Sequence, residues 1–528
     1  MGAVGGAAIL SRRFWLQAAL LFLLCLLPIL LYLPFLGTPF ERDEGVYATI
    51  AQGLLEGRIP YRDLFDNKPP LIYGWYAFSF LLFGENVVAP RVVAAVLLSL
   101  TTLTLFGQAR MVLPRGAAYV ATGLFALSTG LPYVAVHANT EAYMLLPLVA
   151  ALAAFTIGMR RGRLGWFLLS GALGGLAMMT KQVAVWNLLA LAAVAILWRW
   201  RAGGRSRHSL MPALCLMVGA MGTTGLIVAP LVATGVLDDF LYANVAYNWL
   251  YVGAQSFGDR LKHLKAVLFF LAVAAPLVAG ALAGSLIVWR RSRRRSAAYL
   301  LISWAAASVV GVASGWRFFP HYFLQLLPAM ALLTAVAIHR WFPGQKIGAI
   351  GKPLLVAGVL LIAISSTTSG ALYFSREDAQ KRFYEPLFQQ ERWATASRAL
   401  GAYIAERTGP EDAIFVFGRE SQIYFYADRR PAVRYFYDWA YRYDKDTLEE
   451  TMEELRRARP TYIIDSVQSP LFEDYWRYHP PEFQAFLAEN YDYVGLVYFA
   501  DVYRLKGASP GQSYSERGLF GGQDDSFP

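Results

Sequence analysis

Cysteine is almost absent: Cys25 and Cys215 are the only two in 528 residues, and both lie inside apolar runs. No structural disulfide and no thiolate metal site follows from them. Acidic residues are scarce over most of the chain, with 11 Asp and Glu against 29 Lys and Arg in residues 1–374. There is no Walker loop, no GxGxxG after a strand and no His-Glu-x-x-His, so soluble-nucleotide chemistry finds no support. An Asn-x-Ser/Thr acceptor is missing as well. What is abundant is apolar: 56% of residues are hydrophobic and 16% charged, with the charges clustered between long apolar runs. That is the composition of a membrane protein.

Apolar segments fall near 14–36, 71–83, 88–107, 117–135, 142–159, 164–180, 182–200, 209–234, 264–289, 297–315, 320–340 and 347–373. The first is too long for the apolar core of a signal peptide and reads as a retained helix. Segment 71–83 has 13 residues where a span needs about 20, and reads as a juxtamembrane or re-entrant helix. Eleven spans remain. With the N-terminus inside, 19 basic residues and no acidic one fall on inner loops, from Arg12 and Arg13 to Arg340, Lys346 and Lys352. All 11 acidic residues of this part then lie on outer segments, a strong positive-inside pattern. Counting 71–83 as a span would invert every later loop. The basic residues sit in short loops between helices and indicate lipid head groups, not nucleic acid.

The balance reverses in residues 375–528, with 19 basic against 26 acidic residues. Trp393 to Glu406 and Thr447 to Arg457 read helical; Ile414 to Phe417 and Tyr462 to Ile464 read extended. Val494 to Phe499 and Val502 to Leu505 read as a closing strand pair. The expected organisation is a polytopic helical membrane domain over 1–374 with its first outer loop at 37–87, an extracytoplasmic α/β domain over 375–507, and a disordered tail at 508–528.

The outer segments hold the candidate site. Val46, Tyr47, Ile50, Ala51, Leu54 and Leu55 recur at helical spacing, giving a helix on the membrane surface that Gly57 can end, with Asp43 at its N-cap. Asp43 and Glu44 are therefore either capping groups or functional carboxylates. In Asp66-Asn67-Lys68-Pro69-Pro70 the prolines fix an extended approach to the next helix and hold Lys68 near its N-terminus, where it is a phosphate ligand or a snorkelling anchor. His137-Ala138-Asn139-Thr140-Glu141 lies between two apolar spans, and a carboxylate there is expensive unless paired. Lys181 sits in an apolar hairpin turn. Trp316-Arg317-Phe318-Phe319-Pro320-His321-Tyr322 is an aromatic belt holding an arginine able to pair with a phosphate or with Glu141. Asp238 and Asp239 read as a solvated loop start.

At these residues the chain resembles the GT-C superfamily of polyprenyl-phosphate-dependent glycosyltransferases, in particular its protein mannosyltransferase and aminoarabinose transferase branch. Asp43-Glu44 with Tyr47-Ala48 resembles the first-loop acidic motif, and Asn67-Lys68-Pro69-Pro70-Leu71 the Lys-Pro-Pro element. Thr140-Glu141-Ala142 is similar to the second-loop acidic position, where the superfamily usually has aspartate. Gly175-Leu176-Ala177 through Thr180-Lys181 resembles its hairpin signature, and Pro320 to Pro328 its tyrosine- and proline-bearing helix. The resemblance implies a GT-C helical bundle in the plasma membrane that transfers a sugar from a polyprenyl-phosphate carrier to a glycan, glycolipid or protein acceptor on the outer face. The anomeric carbon inverts and Asp43 is the general base. Glu44 and Glu141 join it as candidate catalytic carboxylates. Lys68, Arg317 and Lys181 are the candidate ligands of the donor phosphate, and His137, Asn139, Tyr73, His321 and Tyr322 contact substrate or support the site. Some relatives bind a divalent metal ion near the acidic loop, and Glu44 and His321 are its candidate ligands here. A transporter or lipid flippase is the alternative, but it calls for mid-membrane ionisable residues on repeat-related broken helices, and no internal repeat is evident.

Overall fold

The computed structural model describes residues 12–131, 137–201, 210–291, 295–341, 390–466 and 480–508. Helix α1 (Arg12–Tyr32) leads to α2 (Arg42–Leu55) and α3 (Leu71–Phe83). Helix α3 keeps the 13 residues expected of a juxtamembrane segment, and Gly84, at φ 79°, ends it in a conformation suited to glycine. Then come α4 (Val88–Val112), α5 (Arg115–Ser128), α6 (Thr140–Arg161), α7 (Leu164–Thr180), α8 (Val185–Arg201) and α9 (Met211–Ala233). Short helices α10 (Leu237–Leu241) and α11 (Tyr247–Gly253) form the next outer segment, followed by α12 (Phe257–Val273), α13 (Ala275–Arg291) and α14 (Arg295–Ala313). A 3-10 helix, Pro320–Leu326, runs into α15 (Leu327–Trp341).

Among the described residues six helices are long and apolar enough to cross a bilayer, and three more apolar helices are shorter. The chain is a multi-pass membrane protein. Segment 264–289, expected as one span, is broken by 82° between α12 and α13. Pro276 explains the break: it offers no N–H, and its ring clashes with the carbonyl four residues back. The expected span 347–373 lies outside the described residues. Helix α7 packs so closely on α9 that a Cβ at Gly171 would overlap the Leu216 carbonyl.

The remaining elements form an α/β unit: α16 (Gln390–Ala405), β1 (Ala413–Phe417), α17 (Gln422–Ala427), β2 (Arg430–Pro431), α18 (Asp438–Tyr441), α19 (Lys445–Ala458), β3 (Tyr462–Asp465), α20 (Pro481–Asn490), β4 (Tyr491–Val497) and β5 (Ala500–Leu505). The sheet order is β2-β1-β3-β5-β4, parallel over the first three strands and antiparallel at β5 and β4. Ile414, Phe415 and Val416 are fully buried, as a central strand covered on both faces requires. Helix α19 buries Thr447, Thr451, Met452 and Leu455 on one stripe. The strand pair was expected to begin at Val494; β4 begins at Tyr491 and turns at Tyr498, whose φ is 56°. The expected boundary between 374 and 375, and residues 509–528 of the expected tail, lie outside the described residues.

This unit docks on α2 and the loop that follows it. Helix α2 meets α17 so closely that a Cβ at Gly45 would stand 2.5 Å from the Gln422 amide nitrogen. Arg42 pairs with Glu420 at 2.8 Å, and the Phe65 amide donates to the Arg434 carbonyl at 3.0 Å. Asp239, read as solvated, instead pairs with Arg434 at 2.6 Å.

Candidate active site

The membrane part and the α/β unit together line a cavity. Asp43, Asp66, Asn67 and Lys68 line it from the first outer loop, and Tyr247 and Tyr251 from α11. Phe319, His321 and Tyr322 come from the 3-10 segment, and Arg419, Tyr437 and Trp439 from the α/β unit.

Asp43 is not the N-cap of α2. Glu41 takes that place in a capping box with Glu44, and Asp43 sits in the first turn. Relieved of capping, the Asp43 carboxylate accepts no hydrogen bond among the described residues and faces the cavity. Burial raises its pKa; Lys68 lowers it and Asp66 raises it again.

Glu44 is built into the scaffold. It is fully buried, and its two oxygens receive Arg91 Nε at 3.0 Å and Nη2 at 2.6 Å, the Ala138 amide at 2.8 Å and the Glu41 amide at 3.1 Å. Burial works against its charge, but the Arg91 guanidinium outweighs it and holds Glu44 well below the usual carboxylate range. Both oxygens of Glu44, the residue expected as a catalytic carboxylate or metal ligand, are thus engaged by the scaffold, and Glu44 does not line the cavity. Among the described residues no three His, Cys, Asp or Glu side chains group as a metal site; of the two candidate ligands, His321 lines the cavity and Glu44 does not. His137 contacts the same network, its Nδ1 3.5 Å from Glu44. Burial lowers its pKa, but the Glu44 contact more than offsets this and the net shift is upward. Asn139 donates to Glu41 at 3.1 Å. Burial and the neighbouring Asp43 push Glu41 up to about 7. His137 and Asn139 thus support the wall rather than line it.

Lys68 points into the cavity with Asn67 Oδ1 2.7 Å from its Nζ. Its backbone is held by the Tyr61 hydroxyl at 2.8 Å and the Tyr73 hydroxyl at 3.1 Å, both donating to the Lys68 carbonyl. Tyr73 also donates to Asp66 at 2.9 Å, and Tyr437 from the α/β unit donates to the other Asp66 oxygen at 2.6 Å.

Lys181 and Glu141 form a buried ion pair with each other. The expected pairing of Glu141 with Arg317 does not occur, and neither Lys181 nor Glu141 lines the cavity. Lys181 lies 3.8 Å from the Tyr322 ring centre and so fixes an aromatic residue that does. Arg317 is turned under the aromatic wall: its guanidinium lies 4.3 Å from the Tyr251 ring and 5.1 Å from Trp439, and donates to the Tyr443 hydroxyl at 3.1 Å. Its neighbours Trp316 and Phe318 both adopt positive φ, 53° and 48°, a strained backbone that only a well-determined surround maintains. Asp66, Tyr247, Tyr251, Arg419, Tyr437 and Trp439 were not among the expected site residues.

Residues 67–222 match the family described as dolichyl-phosphate-mannose-protein mannosyltransferase. The chain is 26% identical over 374 residues to the undecaprenyl phosphate-alpha-4-amino-4-deoxy-L-arabinose arabinosyl transferase of Pseudomonas aeruginosa, covering 66% of this chain and 63% of that relative. The Pseudomonas paraeruginosa protein of the same name is 33% identical over 175 residues, 30% of this chain and 31% of its own length. The crystal structure of ArnT from Cupriavidus metallidurans superposes with a TM-score of 0.58 at 14% identity, over 92% of this chain and 98% of that one. The chain has the GT-C fold. The Archaeoglobus fulgidus oligosaccharyltransferase shares the GT-C fold at a TM-score of 0.51 and 14% identity, over 87% of this chain and 70% of that one. The GT-C chain spans just under two thirds of the length of the Pseudomonas aeruginosa relative, 63%. The matched region 67–222 contains Lys68, Glu141 and Lys181.

Proposed function

We propose that this GT-C protein transfers a sugar from a polyprenyl phosphate to a hydroxyl or amine acceptor on the extracytoplasmic face, inverting the anomeric carbon, with Asp43 as general base. The observation that carries this reading is the Asp43 carboxylate, unbonded in the same cavity as Lys68. The acceptor O–H or N–H gives its proton to Asp43 as its heavy atom bonds to the anomeric carbon, and the bond from that carbon to the lipid phosphate breaks. Lys68 balances the charge of the departing phosphate. The upward shift of Asp43 suits a base, since a carboxylate nearer neutrality is the better proton acceptor. The relatives named for undecaprenyl-phosphate and dolichyl-phosphate donors support the lipid carrier.

In this reading the N-terminus is cytoplasmic, residues 1–374 form the catalytic membrane domain and 375–507 an extracytoplasmic domain. Lys181 and Arg317 act on the donor indirectly, by fixing the aromatic wall. The test is release of polyprenyl phosphate from glycosylated polyprenyl phosphates by the full chain in nanodiscs. Asp43→Asn is expected to lower release by about 10²- to 10⁴-fold while donor affinity persists. Full turnover by Asp43→Asn would remove Asp43 from this role.

A further inference from the structure

One side of the cavity is built by the α/β unit and is not used in the proton transfer. Trp439, the second residue of α18, exposes part of its indole there. It is flanked by Tyr251, with ring centres 5.1 Å apart, by the Arg317 guanidinium at 5.1 Å and by the Arg419 guanidinium at 5.5 Å. Arg419 enters from the loop after β1, at the carboxyl end of a parallel strand, where open α/β sheets present their ligand-binding groups. Its Nε donates to Asp438 at 3.1 Å, while its two terminal nitrogens donate to no described residue and its side chain borders the cavity. The third group is the Tyr247 hydroxyl. It belongs to a residue 1% exposed, lines the same cavity, and has no hydrogen-bond partner among the described residues. A buried hydroxyl left unpaired is costly unless a ligand or water meets it.

From this arrangement we infer that Trp439, Arg419 and Tyr247 form the subsite that holds the donor's glycosyl group, with the sugar's C–H face on the indole and its rim hydroxyls on the Arg419 terminal nitrogens and the Tyr247 oxygen. A sugar ring has one face of C–H bonds and a rim of hydroxyls, and a rigid aromatic plane flanked by unengaged donors complements both. The inference rests on the proposed donor. It adds that the α/β unit, and not the membrane bundle, reads the sugar.

The test compares three lipids on the full chain in nanodiscs: bare undecaprenyl phosphate and its mannosyl and 4-amino-4-deoxy-arabinosyl derivatives. The wild-type chain is expected to bind at least one glycosylated lipid about tenfold more tightly than the bare one. Trp439→Ala should erase that gain with the bare-lipid affinity unchanged, and Trp439→Phe should keep most of it. Tyr247→Phe, which deletes a hydroxyl with no protein partner, should reduce the gain about fivefold and serves if Trp439→Ala does not fold. A gain that survives in both Trp439→Ala and Tyr247→Phe overturns the inference. So does an equal loss for bare and glycosylated lipids, or an effect confined to the acceptor KM. Absence of wild-type binding to any of the lipids overturns the proposed function itself.

Discussion

Replacing Arg91 by methionine would decide whether Glu44 is scaffold or chemistry. The Arg91 side chain is fully buried and donates twice to Glu44, at 3.0 and 2.6 Å. It also donates to the carbonyls of Phe35 at 3.0 Å, Leu36 at 3.3 Å and Pro39 at 3.0 Å, and to that of Thr38. Methionine leaves a carboxylate buried without its cation, and breaking such a pair costs about 3–5 kcal/mol. Part of that is recovered if Glu44 takes up a proton, which reverses the pH trend. In the wild type the Glu44 pKa is depressed, so its stabilisation is present above the unfolded value and fades as pH falls through the folded one. In Arg91→Met burial dominates and the pKa rises above the unfolded value, so stability should fall as pH rises. Arg91→Met/Glu44→Gln removes the stranded charge and should recover much of the loss. The assay is the monodisperse fraction after heating in nanodiscs at pH 5 and pH 8. A single variant that loses under about 1 kcal/mol, or a double variant as unstable as the single, would refute the reasoning.

Lys68→Met removes the cation that lowers the pKa of Asp43, so the acid limb of the transfer rate should move to higher pH; an unmoved limb in a pH–rate profile would separate the two groups. Gly45→Val forces α2 from α17 at a 2.5 Å approach. Such overpacking costs about 1–3 kcal/mol, and faster limited proteolysis between the membrane part and the α/β unit should report it. An unchanged cleavage rate would mean that contact is compliant.

Six of the eleven expected spans fall on helices long and apolar enough to cross a bilayer, legible because each apolar run is bounded by charge, and the short run 71–83 was set aside on its length and on the charge pattern. Asp43 and Lys68 were legible because polar residues between apolar spans must have a reason to be there. The bend at Pro276 had a sequence signal that the unbroken apolar run concealed. Arg91 had one as well, a charge in the first turns of an apolar helix, which marks an intramembrane partner. Arg419, Tyr437 and Trp439 had none. They reach the site only because a unit centred hundreds of residues downstream docks on α2 and the first loop, and such docking leaves no local periodicity. Glu44 parts from Asp43 for a related reason: adjacency in sequence places the two on different sides of a helix, one facing the cavity and the other facing Arg91.

The most direct measurement is a structure of the chain in nanodiscs with bare polyprenyl phosphate bound. The expected result is a phosphate within hydrogen-bond reach of Lys68 Nζ, across the cavity from Asp43. A well-ordered lipid whose phosphate sits elsewhere, with the Lys68 side of the cavity filled by other groups, would contradict a polyprenyl-phosphate donor at this site.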